Sequence, residues 1–226
     1  MEVSAERARR RWAIWLGNTT AHPQGESWSG GRMSTTRSSN PHDDIDEILV
    51  DEAAIQARVK ELGADIGSAY RGGEPLVLVS VLKGSLVFVA DLMRAIPGNV
   101  VIDLMEVSSY GGGNTESSGT VRILKDLSGT IEGRDVLIVE DIIDTGLTLN
   151  YLLGYLGGKS PRSIRIVTLL NKPARRLVDL KVDWTGFEIP DKFVVGYGLD
   201  FGETYRNLRY VGVLKRELYA SVLGES

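Results

Sequence analysis

The regular alternation of apolar and polar positions begins at Asp51. Ile55, Val59, Leu62, Ile66 and Ala69 follow at spacings of three and four. That spacing places them on one face of a helix, with Asp51 as its N-cap. Leu76-Val77-Leu78-Val79-Ser80-Val81 is a short β-branched run between Gly73 and Gly84, which predicts a buried strand. Residues 86–96 predict a helix stopped by Pro97-Gly98, and Val100 to Val107 a strand. Asp135 to Val139 reads as another buried strand, followed by a helix over 146–156 that closes at Gly157-Gly158. Ile164 to Leu170 is a third buried strand, and 183–214 reads as short strands and loops. Strands alternating with helices predict an α/β domain with a mostly parallel sheet covered on both faces.

Two segments break the pattern. Residues 1–44 are rich in Arg, Ser, Thr, Gly and Asn, and their apolar residues have no period. They read as a disordered tail ahead of a single domain over 45–226. Met33 stands just before the ordered pattern, so translation starting there is an expectation that the intact mass of the natively expressed protein would test. The second break, Ser108 to Gly119, is a Gly/Ser-rich loop too long for a hairpin turn. As a bare pattern it is a surface loop.

Composition narrows the chemistry. The chain has 226 residues, enough for one ordinary domain with a substantial core. It contains no cysteine, which excludes disulfides, thiolate metal sites and a Cys nucleophile, and which fits a reducing cytoplasm. The two histidines, His22 and His42, both precede the first helical pattern, which argues against a His-based mechanism. A net charge of -4 offers no long-range attraction for nucleic acid or anionic lipid. No apolar run approaches the roughly 18 residues needed to span a bilayer. A polyanionic ligand would therefore need local donors in a pocket.

The segment Val136-Leu137-Ile138-Val139-Glu140-Asp141-Ile142-Ile143-Asp144-Thr145-Gly146-Leu147-Thr148 supplies such a place. Glu140 and Asp141 stand at the carboxyl end of a strand, where ligands bind in open α/β sheets. Gly146 permits a tight turn and a close approach. N–H groups at the helix start, with the Thr145 and Thr148 hydroxyls, form a phosphate cradle. Adjacent carboxylates can accept hydrogen bonds from the vicinal hydroxyls of a ribose. Singly, each feature has a plainer explanation: Asp144 and Thr145 as helix caps, Glu140 and Asp141 as solvated charges. In this order they point to a ribose site beside a phosphate site. No Walker or Rossmann glycine pattern is present.

This segment closely resembles the motif of the type I phosphoribosyltransferases that binds 5-phosphoribosyl 1-pyrophosphate (PRPP), and within them the hypoxanthine-guanine phosphoribosyltransferases. The resemblance runs from about residue 45 to 218. It implies a mostly parallel central sheet flanked by helices, with a small hood built from C-terminal and N-terminal segments. It implies that Glu140 and Asp141 hold the ribose hydroxyls, that Asp144 lies near purine N7 as proton-transfer group, and that Thr145, Gly146, Leu147 and Thr148 bind the 5-phosphate. Leu147 departs from members with a lysine there.

Leu82-Lys83-Gly84-Ser85, by itself an ordinary turn, resembles the family's pyrophosphate loop, with Lys83 and Gly84 facing the leaving group and Arg206 joining them. Ser109 and Tyr110 match the family's flexible lid, whose closure would exclude water from a cationic sugar. Lys172, taken alone a solvated lysine, is assigned to purine O6. Phe193, equally readable as core, is assigned to stacking on the base, Val194 to backbone contacts, and Asp200 to metal and the purine 2-position.

Glu140, Asp141 and Asp200 are thus the implied metal carboxylates and Mg²⁺ the implied cofactor. The family reading also implies PRPP and a purine base as partners, no nucleic acid or membrane, a cytoplasmic location and a homodimer or homotetramer. Transferases for adenine, orotate or a pyrimidine, and a PRPP-sensing regulator on the same fold, remain as alternatives. Lys172 argues against the adenine enzyme, and the net charge against the regulator.

Overall fold

The computed structural model describes residues 39–70, 73–109 and 121–220. Nine strands and three helices are found there: β1 (Ile45–Val50), α1 (Glu52–Ala69), β2 (Leu76–Leu82), α2 (Leu86–Ala95), β3 (Val100–Ser109), β4 (Val121–Lys125), β5 (Asp135–Ile143), α3 (Leu147–Gly157), β6 (Ser163–Asn171), β7 (Trp184–Glu188), β8 (Val194–Val195) and β9 (Val211–Leu214). Asp51 caps α1 as expected, its side chain accepting from the Ala54 N–H at 2.8 Å. Ile55, Val59, Leu62 and Ile66 are buried, whereas Ala69 at the last turn is exposed.

Six strands form the main sheet in the order β4-β3-β2-β5-β6-β7. Strands β3, β2, β5, β6 and β7 run parallel, and only the β3–β4 pair is antiparallel. Both faces are covered, so strand residues are apolar on both sides. Along β5, Leu137 and Val139 join the cluster containing Ile55, Leu62, Phe88 and Leu92 of α1 and α2. Val136 and Ile138 point the other way and pack with Leu149, Leu152 and Leu156 of α3.

A second, three-stranded antiparallel sheet, β1-β9-β8, forms the hood. It has its own small core of Phe193, Val195, Phe201, Tyr205, Leu208, Leu214 and Leu218. The alternation seen from Asp51 onward misses β1 and β4, because both are short strands at sheet edges that bury only Val50 and Val121, respectively. Order also starts before residue 45. Pro41–Asp44 is a 3₁₀ turn, and Asp44 is buried with its carboxylate accepting from the Tyr205 hydroxyl at 2.7 Å. His42 pairs with Tyr210 at 2.8 Å on the same lobe. Of the tail assigned to residues 1–44, residues 1–38 lie outside the described residues, as do the Met33 start and Tyr110 of the lid, and Ser109 ends β3.

Candidate active site

Chain order reverses direction between β2 and β5. From β2 the chain crosses through α2 to β3 on one side, and from β5 through α3 to β6 on the other. The carboxyl ends of β2 and β5 therefore splay their loops apart and open a crevice, the switch point where α/β sheets bind ligands. Val81, Leu82, Lys83 and Gly84 line one side of this cleft, and Glu140, Asp141 and Thr148 another. Asp200, Glu203 and Arg206 close it from the hood.

Strand β5 is longer than its apolar run predicts and continues to Ile143. Glu140 pairs with Thr168 of β6 in the ladder, so its position is set by sheet register. Asp141 is buried, and its carboxylate accepts from the Ile142 N–H at 2.9 Å. The acids are therefore not simply solvated. Gly84 approaches so closely that a Cβ built on it would lie 1.8 Å from Asp141 Oδ2, and one built on Gly198 would lie 2.1 Å from the Gly84 carbonyl oxygen. Two glycines thus let the β2 loop, the acidic strand end and the hood meet. The Leu82–Lys83 peptide is cis.

The turn after β5 is not capped by Asp144 or Thr145. The N-cap of α3 is Gly146 at φ 81°, with no side-chain cap, and the helix starts at Leu147. A left-handed residue at that point favours glycine and bends the chain straight into the helix. Thr145 Oγ1 accepts weakly from the Leu147 N–H at 3.4 Å. The first-turn N–H groups of a helix have no intrahelical acceptor, so they face outward as anion donors.

On the hood side, Arg206 pairs with Asp200 at 2.8 Å and donates to the Gly198 carbonyl at 2.8 Å. Lys83 pairs with Glu203 at 3.1 Å, and Glu203 also faces Arg206 at 3.4 Å. The two cations assigned to pyrophosphate are thereby brought together around one carboxylate. Burial raises the Asp200 carboxyl above its usual range, while Arg206 pulls it down.

Lys172 follows β6. It is buried and donates to the Lys192 carbonyl at 2.7 Å, with Asp191 at 3.8 Å. Val194 is buried in β8. Phe193 is buried too, edge-on to Phe201 at 5.6 Å and stacked on Tyr219 at 4.7 Å between ring centroids. Its ring is thus part of the hood core, one residue beyond the carbonyl that holds Lys172.

Sequence patterns missed Arg175, whose Nε lies 2.6 Å from Asp144 Oδ1, and Glu203 between Lys83 and Arg206. Each reads as an ordinary surface charge in sequence. Nothing in local spacing marks a residue whose partner lies 31 or 120 positions away.

The acidic pair carries an electrostatic cost. Glu140 Oε2 is shielded from solvent and makes no hydrogen bond. Burial, then the neighbouring Asp141 charge, drives the Glu140 carboxyl well above the usual carboxylate range, and burial does the same to Asp141. A raised folded-state value means that the folded protein holds its proton more tightly than the unfolded chain does. Stability from such a group is fully present below the unfolded value and is lost as pH rises. Glu140→Gln should therefore stabilise the ligand-free protein by about 1–3 kcal/mol at pH 8. The gain should shrink toward zero as pH falls to the ordinary carboxylate range near 4.5. Urea denaturation midpoints of both proteins at pH 8 and pH 5 check this, and an equal or lower midpoint for the variant at pH 8 would show that the carboxylate is not strained.

A sheet with its cleft at the switch point, paired carboxylates at one strand end, a helix N-terminus beside them and two cations opposite together define an α/β enzyme that handles a phosphorylated sugar. Comparisons with known proteins agree. Residues 46–202 match the phosphoribosyl transferase domain family. The chain is 54% identical over 178 residues to a hypoxanthine-guanine phosphoribosyltransferase of Bacillus subtilis, covering 79% of this chain and 98% of that one. A Staphylococcus aureus hypoxanthine phosphoribosyltransferase structure superposes with a TM-score of 0.76 at 49% identity, covering 83% of this chain and 99% of that one. The Trypanosoma cruzi enzyme, solved with its product IMP, superposes with a TM-score of 0.73 at 45% identity over 78% of this chain and 98% of that one. The chain belongs to the phosphoribosyltransferase family, in its hypoxanthine-guanine branch.

Proposed function

We propose that this chain is a purine-salvage enzyme that transfers the 5-phosphoribosyl group of PRPP to hypoxanthine or guanine, giving IMP or GMP and pyrophosphate. The observation that carries this reading is the meeting, at one switch-point cleft, of the Glu140–Asp141 strand end with Lys83, Gly84, Asp200 and Arg206. Glu140 and Asp141 accept from the ribose hydroxyls. The turn from Thr145 to Thr148 binds the 5-phosphate through backbone and hydroxyl donors; Leu147 adds no charge there. Lys83, Gly84 and Arg206 receive the pyrophosphate. Positive charge builds on the sugar as that group leaves, N9 of the purine attacks, and Asp144 takes up the proton lost from the base. Lys172 donates to O6, Val194 contributes backbone contacts and Asp200 lies by the 2-position; stacking of the base on Phe193 requires its buried ring to part from Tyr219. Ser109 and Tyr110 belong to the lid.

Mg²⁺ suits these residues as a cation held by one or two carboxylates together with substrate phosphates. Among the described residues no group of three or more His, Cys, Asp or Glu is placed to hold a metal unaided. The orphaned Glu140 Oε2 is the unsatisfied oxygen that such an ion would suit, with the buried Asp141 beside it and Asp200 across the cleft. When bound, Mg²⁺ supplies charge neutralisation to the pyrophosphate. A cytoplasmic homodimer or homotetramer completes the proposal. The absence of cysteine supports the first part, and the exposed apolar residues Val101 and Ile102 of β3 and Leu124 of β4 support the second.

The deciding experiment incubates the protein with PRPP, Mg²⁺ and, separately, hypoxanthine, guanine, xanthine, adenine, orotate and uracil, and measures nucleotide formation. IMP and GMP are expected; their absence overturns the reading. Lys172 should set the preference. One of its three N–H donors is taken by the Lys192 carbonyl, which fixes the direction of the others. An ammonium attracts the oxo group of hypoxanthine but cannot satisfy the amino group of adenine. A charge-assisted bond of about 1.5–3 kcal/mol is at stake. Lys172→Gln, which has both donor and acceptor, should lower the hypoxanthine-to-adenine ratio of kcat/KM by about 10–100-fold. An unchanged ratio would assign the choice of base to residues 193–200.

A further inference from the structure

The loop after β6 returns to the phosphate turn and docks on it by backbone bonds, Lys172 N–H to the Ile143 carbonyl at 2.9 Å and Leu177 N–H to the Thr145 carbonyl at 3.0 Å. Between these two bonds the 3₁₀ turn Pro173–Arg175 projects the Arg175 side chain at Asp144. Arg175 Nε lies 2.6 Å from Asp144 Oδ1, with the two side chains only 10% and 15% exposed. Asp144 Oδ1 is itself shielded from solvent and has no hydrogen bond. Its closest compensation there is the Arg175 guanidinium, and the Arg176 guanidinium adds a second attraction to the same carboxylate. The exposure left to Asp144 therefore lies on its other atoms, and the carboxylate is held at Oδ1.

The guanidinium does not end at Asp144. Arg175 Nη1 reaches both Asp191 oxygens at 3.4 Å, and Asp191 Oδ1 lies 3.8 Å from Lys172 Nζ. A chain of alternating charge, Asp144–Arg175–Asp191–Lys172, thus joins the group placed at purine N7 to the group placed at O6.

We infer that Arg175 is a positioning residue for the transfer reaction: it clamps the buried oxygen of Asp144 and, through Asp191, sets its distance from Lys172. The inference rests on the function proposed above. It assigns Arg175 no contact with substrate. N7 and O6 are neighbouring edge atoms of one rigid ring, so their two protein partners must keep a fixed separation. A buried arginine with a planar fork maintains that separation better than either side chain could alone.

The test is a kinetic double-mutant cycle with hypoxanthine: wild type, Arg175→Met, Asp144→Asn and the double variant, with Arg175→Lys as the conservative control and a thermal melt of each. Displacements of about 1 Å cost on the order of 100-fold in rate. Arg175→Met should lower kcat by about 10–100-fold with KM for PRPP within about twofold, and Arg175→Lys should recover at least part of that loss. In the Asp144→Asn background, Arg175→Met should cost less than threefold further, because the group it positions is already disabled. Full additivity of the two losses would overturn the inference, and so would an unchanged kcat in Arg175→Met. Should Arg175→Met fail to fold, Asp191→Asn takes its place in the same cycle: a kcat loss that disappears in the Asp144→Asn background supports the chain, and an additive or absent loss overturns it. Wild type inactive on both hypoxanthine and guanine would instead overturn the proposed function, which keeps the two failures apart.

Discussion

Asp144→Asn should reduce kcat by on the order of 10²–10⁴-fold while leaving the dissociation constant for PRPP within a few-fold of wild type. The amide matches the carboxylate in volume but is not a proton acceptor at neutral pH. In the proposed mechanism, ribose and phosphate contacts come from Glu140, Asp141 and the turn from Thr145 to Thr148, none of which the substitution replaces. The same change removes the charge facing Arg175 across 2.6 Å and leaves a buried guanidinium against a neutral group. A stability loss of about 1–3 kcal/mol should accompany the kinetic effect. Single-turnover kinetics with saturating hypoxanthine, set beside calorimetric titration of PRPP, separate the two quantities. An unchanged turnover number would refute Asp144 as the proton-transfer group.

Glu140→Ala combined with Asp141→Ala should act on the other side of the ledger and raise the dissociation constant for PRPP by about 10²–10⁴-fold. Two charge-assisted bonds of about 1.5–3 kcal/mol each sum to roughly 3–6 kcal/mol, and each 1.4 kcal/mol is tenfold. Loss of folding does not explain such a result in advance. Both carboxyls are raised by burial, and Glu140 Oε2 has no partner, so their removal relieves an unfavourable charge while it costs some packing. The double variant should melt within a few degrees of wild type in the absence of ligand. Calorimetric titration and a thermal melt with and without PRPP supply both measurements. Normal PRPP affinity would show that the strand-end acids do not meet the ribose. A natural sequence that keeps an unpaired buried acid at a strand end trades stability for a ligand site.

Hydrophobic pattern alone determined the layered α/β core of this protein. β2, β5 and β6 are buried on both faces, so their residues are apolar without alternation, and α1 presents a stripe at helical spacing; each signal is local and survives without tertiary knowledge. The acidic strand end, Gly146 and the helix after it were legible for the same reason, since one short segment carries the whole turn. Tertiary structure alone decided the rest. β1 and β4 pair at sheet edges and bury little, so their sequences carry little period. The length of β5 came from its ladder with β6, which extends to Ile143 and overrides the polar residues 140 and 141. The close approaches of Gly84 to Asp141 and of Gly198 to Gly84 join segments more than 50 residues apart. Arg175 reaches Asp144, and Glu203 reaches Lys83, only after the loops fold back on the strand ends. Charge pairs of that kind are set by where loops dock, and a sequence pattern registers spacing along the chain, not separation across a cleft.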